Sequence, residues 1–418
     1  MEQSIKDRKE QNMTPGCLAR KAESYLLKLC VEIPSRRVGS AGNQAATDLF
    51  ARTVSSFGFK TECPEFECID WTQEGAELVA DGKHFQVFVS PYSLGCRVST
   101  PLIAISTIQE LEATQIDEKI VLLRNDIARE QLMPKNFPFY NPDHHKKIIH
   151  LLETKKPKAI IAATSRDAEM VGSAVYPFPL IEDGDFNIPS IYMTEEEGHR
   201  LSRYVGEEIR LESRANRIPS TGCNVIARKG AKPNRRVVLF AHIDARIGSP
   251  GASDNASGTI VLLLLAELLA DYSGDLGIEI VAMNGEDYYS APGEQQYVAM
   301  NSSIFEEIIL GINIDDVGYH KGNVAYSLYE CTPGLTTSIR ESFSTYTDIV
   351  EGDPWYQGDH GLFMLNQVPA LAMTSDQLEE LMGQITHTPK DTPEIIDTHK
   401  LVHIGLAVRD LLLQLDGQ

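Results

Sequence analysis

Apolar residues recur at three- and four-residue spacing over residues 16–30 and again over 43–57, which predicts two amphipathic helices. PSRRVGSAGN lies between them and is rich in turn formers. After about residue 70 the pattern shortens to β-rich runs, FQVFVS, KIVLLRN, AIIAATS and IPSIYMT, separated by turns and by one basic segment, HHKKIIHLLETKKPKA. From Cys223 the rhythm changes again: VVLFAH, GIEIVAMN, IILGINID and VPALAMTS are nearly unbroken apolar runs. Such runs predict strands buried on both faces of a largely parallel sheet. ASGTIVLLLLAELLADY, between the first two of them, predicts a helix. The last helix is expected to start at DTPE, with Thr392 as N-cap and Pro393 in the first helical position. Its apolar positions Ile396, Leu401, Ile404, Val408 and Leu412 recur at helical spacing. Strands alternating with helices predict an α/β sheet covered on both faces. Three stretches follow: 1–70, which opens the main domain; 71–218, an inserted β-rich α/β module; and 219–418, the rest of the main domain.

A length of 418 residues suits two or three domains, and 42% apolar with 23% charged residues is the composition of a soluble globular protein. The net charge of −21 argues against nucleic acid and against an anionic membrane surface as partner. TIVLLLLAELLA is too short to span a bilayer and contains Glu267. MEQSIKDRKEQNM has no apolar core of a secretory signal, so a cytoplasmic location is expected. The seven cysteines form no CxxC pair, which fits a reducing compartment and gives no metal ligands. Nothing in the sequence specifies an oligomeric state.

Chemistry gathers where the predicted strands end. VVLFA runs into His242 and Asp244, IEIVAMNG into Glu286 and Asp287, and ILGINI into Asp315 and Asp316. A Gly/Ser loop carries Asp254 just ahead of a helix, and ITHTPKDT places His387 ahead of the last one. In open α/β sheets, sites form beyond the carboxyl ends of strands. One acid after a strand is an ordinary turn or cap residue. Three strands delivering acids and imidazole to one edge are a cluster of like charge that needs cations, and Arg246 is the only arginine nearby. Two histidines and three carboxylates suit two zinc ions sharing one carboxylate, with other divalent metals also admissible. Such a pair polarises a carbonyl and makes hydroxide available near neutral pH. A further carboxylate is then wanted as general base and acid.

Five motifs occur in one order: His-x-Asp, Gly-Ala-x-Asp-Asn-x-Ser-Gly, an acidic pair after a strand, Asn-x-Asp before a Val-Gly turn, and His-Thr-Pro-x-Asp-Thr. Together they resemble the co-catalytic zinc exopeptidases of metallopeptidase family twenty-eight, over about residues 20–68 and 223–418. That family includes aminopeptidases, glutamate carboxypeptidases, glutaminyl cyclases and the catalytically silent transferrin receptors. The resemblance implies a three-layer αβα zinc-peptidase fold with a mixed, largely parallel sheet. It further implies that His242 and Asp315 hold one metal and Asp287 and His387 the other, with Asp254 bridging. Glu286 would be the general base, and Asp244 would bond the free nitrogen of His242. A cis peptide is expected at Asp254–Asn255. Asp287 stands where the family usually has Glu, so its carboxylate reaches less far. Asp316 stands where an apolar residue is usual, and is expected to be solvated or hydrogen-bonded to the next turn.

QGDHGLF, with Gly358, Asp359, His360 and Phe363, resembles the family's pocket-lining Asp-His-x-x-Phe segment, and His360 is expected to donate to the developing oxyanion. Trp355, Tyr356 and Tyr319 lie in neighbouring loops. His144, His145 and His150 have helical spacing without a ligand motif and are read as a solvated basic face. EKIVLLRND, KPKAIIAATS and NIPSIYMTEEEGHRL resemble a protease-associated domain, a module implied to give selectivity and no catalytic group. The implied activity is hydrolysis of peptides at a chain end, most simply as an aminopeptidase. Two alternatives stay open: a one-zinc aminoacyl transferase resembling glutaminyl cyclases, and a non-catalytic receptor-like binding protein. A serine hydrolase is disfavoured because no GxSxG follows a strand, and HExxH is absent.

Overall fold

The computed structural model describes residues 13–33, 35–165, 175–356 and 358–417. Residues 1–12, on which the expectation about a leader rested, lie outside them. The chain divides into two compact units, one drawn from 1–68, 221–288 and 292–418, the other from 69–220 with 289–291.

In the first unit the sheet order is Lys60–Glu62, Val225–Lys229, Leu276–Met283, Lys232–His242, Ile308–Ile314, Ala370–Ser375, Val324–Tyr329 and Ile349–Glu351. The four middle strands, from Leu276–Met283 to Ala370–Ser375, run parallel. Their flanking partners on both sides are antiparallel. Phe240 stands beside Val281 and Asn313, and Asn313 beside Ala372, so the strand ends are nearly level.

Side chains alternate across a strand. Val237, Leu239 and Ala241 therefore enter one core, with residues of the helices Pro15–Leu27, Ala41–Ser56, Gly258–Leu268 and Thr398–Asp416. Val238 and Phe240 enter a second core with Tyr297, Phe305 and Phe363. Both faces are covered, which makes three layers and explains why these strands are apolar throughout. The helix Gly258–Leu268 is buried at every position from Gly258 to Ala266, so it has no polar face to conserve.

The last helix begins later than the sequence suggested. It spans Thr398–Asp416, and the Asp397 side chain caps it by accepting from His399 N at 2.9 Å. Pro393–Ile395 closes only a 3-10 turn, and Thr392 makes no side-chain cap bond. Ile396 is extended and bridges to Tyr319, while Asp397 N donates to Gly318 O at 2.8 Å. Tertiary hydrogen bonds thus interrupt a start that local propensity favoured.

The second unit has its own sheet, ordered Lys83–Phe85, Glu65–Ala80, Glu208–Cys223, Cys96–Ile105, Ile120–Leu123, Ala159–Thr164, Ser190–Thr194 and Phe88–Val89. Cys96–Ile105, Ile120–Leu123, Ala159–Thr164 and Ser190–Thr194 run parallel. Val121, Leu123 and Ile160 pack with Ile148, Ile149 and Leu152 of the helix Asp143–Lys155 on one face. Ile120, Leu122 and Ile161 face a separate core. His145 is buried in this helix, so the three histidines do not form one solvated face, although His144 and His150 are exposed.

Candidate metal centre

Four parallel strands end at one edge of the first sheet, and the acids and histidines are on the segments that leave it. His242 is the last residue of its strand, and Thr259 Oγ1 donates to its carbonyl at 3.1 Å. The loop that follows turns at Gly248 and Gly251, both at positive φ. Asp254 and Asn255 then depart from helical geometry, and the peptide between them is cis. Asn255 explains the Asp-Asn pairing. Its Oδ1 accepts from Gly258 N at 2.9 Å, capping the buried helix, and its Nδ2 donates to Ile314 O at 2.9 Å. Gly258 is needed because an added Cβ would lie 2.1 Å from Ile314 O. Asp254 is thereby fixed against the strand end that carries Asp315.

Two donor groups result. His242 Nε2 is 3.0 Å from Asp254 Oδ1 and 3.5 Å from Asp315 Oδ1. His387 Nε2 is 3.0 Å from Asp254 Oδ2 and 3.0 Å from Asp287 Oδ1. The two oxygens of Asp254 thus face different histidines. A third overlapping group joins His242, Glu286 and Asp287, with ligand atoms within 4.8 Å of one another. Among the described residues, His242 Nδ1 and Nε2, Asp287 Oδ2, Asp315 Oδ1 and His387 Nδ1 are buried without a hydrogen-bond partner. Buried polar atoms of native proteins seldom stay unsatisfied. Imidazole nitrogens and carboxylate oxygens converging in this way fit divalent cations of the zinc type.

Asp287 reaches His387 despite its short side chain, and Asp244 fixes the backbone that carries it. Asp244 Oδ2 accepts from Asp287 N at 3.1 Å, and Asp244 Oδ1 accepts from Gly285 N at 2.8 Å. Asp244 therefore holds the acidic loop. Its distance to His242 Nδ1, 3.6 Å, is too long for the hydrogen bond expected there. His387 sits at φ +65° and Asp316 at φ +50°, left-handed conformations that cost a non-glycine residue about 1–3 kcal/mol and cluster at functional sites.

The electrostatics are those of acids in excess. Burial pushes the Glu286 carboxyl well above its ordinary range; His242 opposes this, and Asp287, Asp359 and Asp315 add to it. Burial alone would lower the imidazole of His387, yet Asp287 and Asp254 outweigh it and raise it to about 10, with Arg246 opposing. His242 is likewise raised, by Asp315, Asp244 and Asp254 against burial. Asp316 is not solvated: it is buried, and burial with Asp254, Asp315 and Asp391 raises its carboxyl. Two further buried acids escaped the sequence reading. Glu294 is raised to about 8, by burial and then by Asp244, and Asp359 is raised by burial and Glu294. Glu294 lies in PGEQQY, inside a helix with no motif to mark it, and Asp359 was seen only as part of its segment.

QGDHGLF is placed differently from expectation. Phe363 is a core residue, stacked on Phe240 with ring centroids 4.6 Å apart. His360 is buried and its Nε2 lies 2.9 Å from Trp355 O, so the neutral ring carries its proton on Nε2. Its remaining nitrogen, Nδ1, then has a lone pair and no proton to donate to an oxyanion. Burial also lowers the His360 pKa, which favours that neutral form. Tyr319 is buried and donates to Glu380 at 3.1 Å, whereas Tyr356 is exposed.

In the second unit Glu130, His144 and His145 also converge. Here Met133 N donates to His145 Nδ1 at 3.1 Å, which puts the proton of the neutral ring on Nε2, 3.2 Å from Glu130. A protonated Nε2 is not available as a ligand, and the group is read as a hydrogen-bonded link between helix and loop.

The sequence profile described as "Peptidase family M28" matches residues 224–412. Among curated proteins, "Aminopeptidase YwaD" of Bacillus subtilis (strain 168) is 25% identical over 260 residues, covering 60% of this chain and 56% of that protein. The chain thus spans a little over half the length of that relative. Among solved structures, "Aminopeptidase from Aneurinibacillus sp. strain AM-1" superposes with a TM-score of 0.73 at 20% identity, over 96% of this chain and 95% of its own. "BSAP, a zinc aminopeptidase from Bacillus subtilis" gives 0.73 at 22% identity, over 95% of each chain. The fold is that of these structures. Residues 224–412 match the profile of peptidase family M28, and the chain resembles the zinc-dependent exopeptidases of that family.

Proposed function

We propose that this protein is a two-zinc exopeptidase that removes residues from the N-terminus of peptides. The observation that carries the reading is Asp254, whose two oxygens each lie 3.0 Å from Nε2 of a different histidine. His242 and Asp315 would complete one metal position, and Asp287 and His387 the other. When bound, such a pair supplies Lewis acidity for a carbonyl and lowers the pKa of water toward neutrality.

The chain's own residues do the rest. Glu286 stands beside both donor groups and is not needed to complete either one. Its carboxylate takes the proton of the attacking water and returns it to the leaving amine. Asp244 orients Glu286 by holding the amides of Gly285 and Asp287 on either side of it. The surplus of buried carboxylates favours a cationic group on the substrate, which a peptide's α-ammonium provides. A one-zinc transferase would leave one of the two donor groups without purpose. The second unit is proposed to be a protease-associated-like module that contributes no catalytic group.

Replacing Glu286 by Gln is expected to lower turnover roughly 100- to 10,000-fold while zinc content is retained. A metal-supplemented digest of a peptide library, read by mass, tests direction and residue preference. Activity retained in E286Q, or products cut from the C-terminus, would contradict the corresponding part of the proposal.

A further inference from the structure

We infer that Arg36 and Asp391 are positioning residues that hold the bridging carboxylate of Asp254 between the two metal positions. The inference rests on the two-metal reading. Neither residue belongs to the donor groups, and Arg36 lies outside the stretch that matches the family profile.

Arg36 comes from the turn-rich connection after the first helix, and its side chain is fully buried. Its guanidinium donates to four carbonyls: Nε to Ile243 O at 3.0 Å, Nη1 to Leu29 O at 2.9 Å and Pro250 O at 2.8 Å, and Nη2 to Gly251 O at 2.8 Å. Ile243 follows the ligand His242, while Pro250 and Gly251 lead into Asp254. One planar group therefore pins both ends of the loop that joins the first ligand to the bridging one. The approach is close enough to dictate the residue at 251. A Cβ there would lie 2.7 Å from Arg36 Nη2 and 2.5 Å from Asp254 O, and Gly251 also has φ +63°.

Asp391 takes the same segment from its amide side. Ala252 N donates to the Asp391 carbonyl at 3.2 Å, Ser253 N to Oδ1 at 2.7 Å and Asp254 N to Oδ2 at 3.1 Å. Asp391 is completely buried and lies four residues after the ligand His387. The carbonyls of 250–251 thus meet a cation, and the amides of 253 and 254 meet the two carboxyl oxygens of Asp391, with the amide of 252 on its main-chain carbonyl. Charge-assisted bonds of this kind are roughly twice as strong as neutral ones. Because the N–H of Asp254 is itself held, the tilt of that residue is set by Asp391, and with it the placement of both oxygens. A lysine at 36 has one ammonium and cannot match the planar fork.

The test titrates zinc into the chelator-stripped full chain against a chromophoric competitor, with thermal melts in parallel. Arg36→Lys and Asp391→Asn are expected to weaken zinc at one or both positions by about 10- to 100-fold, as is usual for residues that orient ligands. The double variant should be less than additive, since both act on one segment. kcat should fall with KM nearly unchanged. Leu411→Ala, in the core helix, lowers the melting temperature and should leave zinc affinity as it was. Unchanged zinc affinity in both variants overturns the inference alone. A wild type that binds fewer than two zinc ions overturns the two-metal reading and the inference with it. Loss of the cooperative melt in both variants at saturating zinc makes the pair mere scaffold and also overturns it.

Discussion

Glu294 shows how much a single side chain at this site is asked to tolerate. It is buried, its Oε2 has no hydrogen-bond partner among the described residues, and burial followed by Asp244 raises its carboxyl from an ordinary 4.5 to about 8. A folded-state pKa above the unfolded one means that the folded protein holds the extra proton between these values. Its contribution is complete below pH 4.5 and is lost as pH rises toward 8. Glu294→Gln keeps the uncharged form at every pH. The metal-free variant is therefore expected to melt a few degrees above the metal-free wild type at pH 8, with a flatter profile between pH 5 and 8. Equal melting temperatures across that range would refute the assigned protonation.

Elements show the same contest between local and tertiary preference. The segment DTPEIIDTH holds the expected start of the last helix, Thr392 with Pro393, and the observed one, Asp397 with Thr398. Local rules favour the first, since Pro belongs in the first helical position. The fold uses the second, because Ile396 and Asp397 must pair with the turn after Asp315. Asp397→Ala should cost about 0.5–2 kcal/mol, the usual loss for an N-cap, and Thr392→Ala much less. Denaturant melts of the two variants decide it, and the reverse order would place the helix start wrongly. The motif loop is legible on the same scale. Asn255 and Gly258 are fixed by what they touch: one caps a helix, and the other lets that helix approach Ile314.

At the scale of the molecule, two cores flank the sheet of each unit. Residues 69–220 carry two buried clusters of their own, which is what independent folding requires. Expressed alone, this stretch is expected to unfold cooperatively in calorimetry with an enthalpy of about 100 kcal/mol. It is expected to bind no zinc, given the tautomer of His145. A fragment without a cooperative transition would show that the second unit depends on the first. Its two long strands, Glu65–Ala80 and Glu208–Cys223, escaped the sequence reading because most of their positions are exposed or half-buried. Strands with little buried surface leave only a faint alternation of apolar and polar residues.

The sequence by itself determined the alternation of strands and helices, the apolar central helix, and the acids and histidines proposed here as metal ligands. Those depend on period, on turn chemistry and on residues whose reactivity belongs to the side chain. Only the tertiary structure decided that Asp244 serves the amides of Gly285 and Asp287, and that Phe363 is core. It also brought Arg36 and Asp391, some 355 positions apart in the chain, onto one loop. Hydrogen-bond partners distant in sequence leave no periodic trace. Their identity is fixed by where the backbone's unsatisfied carbonyls and amides fall once the layers have packed.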